Sequence, residues 1–117
     1  MTRILIADSD PRTRQALALL LERKLDVHCT DEAWDRTSLE RQLATSAPDL
    51  ILLDCYLPGL SGAEIAALLG RSAGARLALM SVNADDVTTA QMLNSAFIYK
   101  GALPEEVLAT LKTLIPV

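Results

Sequence analysis

Four consecutive apolar residues, Leu50, Ile51, Leu52 and Leu53, stand between Asp49 and Asp54 with no polar break. A strand with one wet face alternates apolar and polar residues. An unbroken run therefore marks a strand covered on both faces, as in the middle of a parallel sheet. The run ends on a carboxylate, Asp54, and passes through Pro58, Gly59 and Gly62 into the apolar stretch 63–69. The order is buried strand, acid, turn, helix. Ligands of open α/β sheets bind beyond the carboxyl ends of the strands, so Asp54 is the lead candidate for chemistry.

The rest of the chain repeats this unit. Residues 3–7, RILIA, read as a first strand. Asp10 and Pro11 supply an N-cap and a first helical residue for a helix running to about Lys24. Residues 26–30 read as a less apolar second strand, near a sheet edge. A second helix with a soft start lies within 31–47, with Trp34 in that start and read as core packing in preference to a partner contact. Residues 49–53 form the third strand, 63–69 the third helix and 70–74 a loop. Residues 76–80 form the fourth strand, 85–93 a short fourth helix and 96–99 the fifth strand. Residues 104–115 form a fifth helix, opened by Pro104 with Glu105 and Glu106 at its positive end. Five βα units in strict alternation imply one α/β domain over residues 1–117, with a parallel sheet and helices on both faces.

Composition narrows the function. With 117 residues, 50% hydrophobic but only 3% aromatic, the core must be aliphatic. A net charge of −4 argues against direct nucleic-acid binding. Cys29 and Cys55 lack metal-ligand spacing and read as small buried hydrophobes. No signal-peptide pattern precedes the first strand and no apolar stretch reaches membrane-span length, so a cytoplasmic, non-membrane setting is expected.

The residues that follow the strands are chemically complementary: Asp8 after the first, Asp54 after the third, Ser81 after the fourth and Lys100 after the fifth. A parallel sheet brings all of these ends to one edge. On the segments ILIADSDP, PDLILLDCYLPGLSG, LALMSVNA and FIYKGALPEEVLATL, the chain resembles the receiver domains of two-component response regulators over essentially its whole length. The PEEVL segment resembles the subfamily with LuxR-type outputs.

That resemblance implies a flavodoxin-like (βα)5 fold with strand order 2-1-3-4-5. It implies Asp54 as phosphoacceptor from a sensor histidine kinase or phosphotransfer protein. It implies Mg²⁺ held by Asp8, Asp54 and the Tyr56 backbone carbonyl, and phosphoryl contacts from Ser81 and Lys100. It further implies a switch in which the Ser81 loop moves and Phe97 follows. The expected partners are the kinase and a downstream output domain or protein, with a helix-turn-helix DNA-binding domain as one form and a homodimer left open. No enzymatic activity is expected beyond the domain's own phosphorylation and dephosphorylation.

The chain departs from the family pattern at three places. Ser9 stands where most receivers carry a second acid. Ser9 could ligate the metal through its hydroxyl or a water, Asp10 could replace the missing ligand, or metal binding could be largely lost; weakened Mg²⁺ affinity is the expectation. The stretch from Ser81 to Lys100 is about a turn short, which predicts a truncated or irregular fourth helix. Gly101 replaces the proline that often follows the lysine, and a cis bond there is expected only if the surroundings enforce it. Two other functions compete: a phosphorylation-independent pseudo-receiver binding module, supported by Ser9 and the short fourth helix, and a haloacid-dehalogenase-type phosphatase using Asp8 with Asp10. A flavin carrier is disfavoured because no phosphate-binding loop follows the first strand.

Overall fold

The structure is a computed structural model that describes residues 2–71 and 74–115. The chain alternates β1 (Arg3–Ala7), α1 (Pro11–Leu25), β2 (Cys29–Ala33), α2 (Arg36–Thr45), β3 (Leu50–Asp54), α3 (Gly62–Arg71) and β4 (Arg76–Ser81). A short 3-10 helix over Ala84–Asp86 then leads into α4 (Val87–Met92), β5 (Ala96–Tyr99) and α5 (Pro104–Leu114). All strand pairs are parallel, in the order β2-β1-β3-β4-β5. This is the expected flavodoxin-like (βα)5 sheet.

Strand alternation divides the core into two layers. Ile4, Ile6, Leu50, Leu52, Ala78, Met80 and Ile98 face one way and pack with Leu17 and Leu21 of α1 and Leu111 of α5. Leu5, Ala7, Ile51, Leu53, Leu77 and Leu79 face the other way and pack with Leu39 of α2, Ile65 and Leu68 of α3 and Ala90 of α4. Every residue of β3 is buried, which is why its run has no polar break. Leu52 is fully enclosed at the centre of the first layer. Leu52→Ala is expected to lose about 3 kcal/mol of stability through lost transfer energy and a residual cavity, read as a lower denaturation midpoint with an unchanged slope.

β2 lies three residues later than the expected 26–30. Asp26 ends α1 in the left-handed region at φ 55°, and Val27 returns a hydrogen bond to the Leu21 carbonyl at 3.1 Å. The exit from the helix thus takes up Asp26, Val27 and His28, and Val27 drops into the core. The true strand is mostly polar because it is an edge: Arg3 pairs with Asp31 at 3.2 Å across it. α2 begins later too. Asp35 caps it, accepting the Ser38 N–H at 2.8 Å while the Ser38 hydroxyl accepts the Asp35 N–H at 3.1 Å. The fourth helix is short and preceded by a 3-10 turn, as the spacing predicted. Part of the expected loop 70–74 belongs to α3, and residues 72–73 lie outside the described residues.

Candidate functional site

The sheet ladder runs one residue past its strands and so fixes the backbone of the carboxyl edge. Asp8 N–H donates to the Ala33 carbonyl (2.9 Å), Cys55 N–H to Met80 (2.9 Å) and Lys100 N–H to Ser81 (2.8 Å). Asp8, Asp54 and Ser81 are buried there, polar groups in a region otherwise lined by aliphatic side chains. The Lys100 ammonium pairs with Asp8 Oδ2 and lies 3.4 Å from Asp54 Oδ2. One cation thus bridges two buried carboxylates, the arrangement that burial of like charges requires.

The rest of the shell holds these groups in place. Asp8 Oδ1 accepts the Asp10 N–H at 2.9 Å. The Asp10 carboxylate accepts the Arg12 N–H at 2.9 Å and caps α1. Ser9 is exposed. A phosphatase of the haloacid-dehalogenase type would need Asp10 to act with Asp8, and here its carboxylate is engaged by the helix. Asp54 is pushed above the ordinary carboxylate range, first by burial and also by Asp8, against the opposing pull of Lys100 and the Tyr56 N–H. Burial and the charges of Asp86 and Asp54 push the Cys55 thiol up to about 11, so it stays protonated. Both Cys29 and Cys55 are half-buried rather than core residues.

Two residues beyond the sequence reading join the site. Arg14 Nη1 donates to the Asp8 carbonyl at 2.6 Å and its Nε to Glu32 at 3.0 Å, while its guanidinium lies 5.9 Å from the Trp34 ring centroid. Trp34 is 49% exposed, a lid on an arginine rather than the packed core residue expected. Asp86 accepts the Ser81 hydroxyl at 2.6 Å, and its nearby carboxylate pushes the Tyr56 phenol up. Arg14 follows the capping Asp10 by one helical turn, a spacing that could have drawn notice. Nothing in the sequence distinguishes Asp86 from Asp85. Phe97 is half-buried against the second core layer. Tyr99 lies over Gly101, whose added Cβ would come within 2.7 Å of the tyrosine ring. No peptide bond among the described residues is cis, Lys100–Gly101 included.

This edge is built like a known one. Residues 4–112 match the family model of the response regulator receiver domain. The chain belongs to that family. Phosphorylation and conformational switching are the family's general function, and its members generally bind Mg²⁺ at the phosphorylation site. The DNA-binding response regulator MtrA of Mycolicibacterium smegmatis is 27% identical, over 94% of this chain and 49% of that protein. The response regulator UvrY of Escherichia coli is 24% identical, over 97% of this chain and 54% of that protein. The receiver thus spans about half the length of these curated relatives. In fold it matches RcsB of Salmonella enterica serovar Typhimurium, solved bound to promoter rprA with phosphomimetic BeF3−. That match has a TM-score of 0.85 at 17% identity and covers 97% of this chain and 68% of that one. A signal receiver domain from Colwellia psychrerythraea matches with a TM-score of 0.83 at 22% identity, over 97% and 98% of the two chains.

The donor set suits Mg²⁺, a hard cation commonly held by one or two carboxylates together with waters and phosphate oxygens. Asp8 and Asp54 present buried oxygen donors side by side, and among the described residues no third acid, histidine or cysteine joins them. The receiver carries one tryptophan. Because Arg14 touches both the Asp8 backbone and the Trp34 ring, Mg²⁺ or beryllofluoride is expected to change indole emission saturably. A flat spectrum across a concentration range in which calorimetry records binding would break that link.

Proposed function

We propose that Asp54 accepts a phosphoryl group from the phosphohistidine of a sensor kinase or phosphotransfer protein. The observation that carries this reading is the lysine-bridged pair of buried carboxylates, Asp54 and Asp8, at the sheet edge that also carries Ser81. One Asp54 oxygen forms the new bond to phosphorus as the phosphorus–nitrogen bond breaks. Its electron pair stays on the imidazole, which takes up a proton from solvent. Phosphoryl transfer depends on positioning and charge stabilisation more than on covalent help. Lys100 would move from the carboxylates to a phosphoryl oxygen, and the Ser81 hydroxyl would donate to another.

Bound Mg²⁺ would neutralise charge on the phosphoryl oxygens, held by Asp8, Asp54 and the Tyr56 carbonyl. With Ser9 exposed and Asp10 committed to its helix, neither offers the acid that most receivers have, so Mg²⁺ binds more weakly than to a three-acid site. The added charge, roughly −1.5 to −2, draws the Ser81 loop inward, Phe97 follows, and the α4–β5–α5 face changes for an output domain or protein. The name of MtrA, a DNA-binding response regulator, supports a DNA-regulating output, and a cytoplasmic setting suits it. Among the described residues no helix is long and apolar enough to cross a membrane.

Intact mass after incubation with acetyl phosphate and Mg²⁺ tests the reading. A species heavier by about 80 Da, the mass of one phosphoryl group, is expected. Its absence, with no response to beryllofluoride, would favour the second reading, a binding module that works without phosphate, which the two-acid site and the short α4 support.

A further inference from the structure

A serine hydroxyl has one proton to donate, and that of Ser81 is already committed. Ser81 is fully buried; its hydroxyl donates to Asp86 Oδ2 at 2.6 Å and accepts the Asn83 N–H at 3.0 Å. A phosphoryl oxygen on Asp54 can receive the Ser81 proton only after Asp86 has lost it. The two bonds are mutually exclusive.

The Asp86 carboxylate also lies near the phenol of Tyr56, two residues beyond Asp54, and pushes it up. Asp86 ends the 3-10 helix over Ala84–Asp86 and stands at the N-cap position of α4, yet its side chain makes no capping bond to that helix. Its carboxylate is given to Ser81 instead. The shortened segment between β4 and α4 delivers an acid to the serine that the transferred group needs, and that acid's charge also opposes an incoming phosphoryl group. Its field reaches Cys55, the neighbour of Asp54.

We propose that Asp86 is a carboxylate latch: it holds the Ser81 hydroxyl in the unphosphorylated domain, slows phosphoryl transfer, and is released when the phosphoryl group takes the Ser81 proton. The latch rests on Asp54 being the acceptor. Release frees the start of α4 from the end of β4, coupling the site to that helix through Asp86 itself.

The test is the initial rate of phosphorylation by acetyl phosphate with Mg²⁺, followed by intact mass, for the wild type, Asp86→Asn and Asp86→Ala. Circular dichroism checks that each variant is folded. Asp86→Ala removes both the charge and the acceptor and is expected to react about tenfold faster, the scale of one hydrogen bond to a charged acceptor. Asp86→Asn keeps a neutral acceptor of the same shape and is expected to fall between. A residue that merely supported the fold would slow the reaction when replaced, so rates that are unchanged or lower overturn the latch. In a Ser81→Ala background the Asp86→Ala gain is expected to shrink, because the bond it relieves is gone and only the removal of charge remains. A gain that persists in full would mean that Asp86 does not act through Ser81 and also overturns it. Phosphorylation of all proteins at one rate defeats the latch alone, whereas phosphorylation of none defeats the Asp54 reading and the latch with it.

Discussion

Asp54→Asn is expected to abolish the phosphorylated species while making the domain more stable at neutral pH. The first effect follows from the loss of the proposed phosphoryl acceptor. The second follows from the electrostatics of the site. Burial raises the Asp54 carboxyl above its ordinary value, and Lys100 only partly offsets this. The folded state therefore holds a proton that the unfolded chain has already released, and stability falls as pH rises through the window above the ordinary aspartate value. At neutral pH the ionised Asp54 is a cost to the native state, and an amide of the same shape removes it. Lys100 keeps its partner in Asp8. The expected gain is about 1 kcal/mol, the usual scale when a group kept for function is replaced. It should disappear below the ordinary aspartate range, where the carboxyl is protonated in both states. Denaturation of both proteins across that pH range is the measurement. A variant less stable than the wild type at neutral pH would mean that the Lys100 contact outweighs the burial of Asp54.

The carboxyl edge was legible because each of its residues is announced by a strand. Asp8, Asp54, Ser81 and Lys100 each close an apolar run, and parallel topology alone brings such ends together. β3 was the plainest, being covered on both faces. β2 was misread by three residues because an edge strand does not need to be apolar. Its Asp31 and Glu32 resembled the start of a helix, and the left-handed turn at Asp26 leaves no pattern at the level of composition. Contacts made by loops were the least legible. Whether Asp85 or Asp86 turns inward depends on the path of a three-residue 3-10 helix, and the sequence offers two adjacent acids. Trp34 was assigned to packing on the habit of its residue type. It lies half-exposed over a guanidinium because Arg14 is held by Asp8 and Glu32.

Lys100→Met should have the largest effect on stability of any change at the site, and the effect should depend on conditions. The lysine is the cation between two buried carboxylates. Removing one partner of a buried ionic group while leaving the others typically costs about 3–5 kcal/mol. At neutral pH the variant keeps Asp8 and Asp54 facing each other with nothing to neutralise them. A proton shared between the two carboxyls relieves the repulsion. The native state then binds more protons than the unfolded chain, so the deficit relative to wild type should shrink as pH falls towards the carboxylate range. Mg²⁺ should shrink it as well, by returning positive charge to the two acids, and should stabilise Lys100→Met more than the wild type, whose acids are already bridged. Thermal denaturation with and without Mg²⁺ at two pH values distinguishes this from lost packing of the lysine stem. A packing defect would respond to neither variable, whereas an electrostatic one responds to both. Phosphorylation of the variant is expected to fall sharply even where its stability is restored, because Mg²⁺ cannot supply the ammonium that would contact the transferred oxygen.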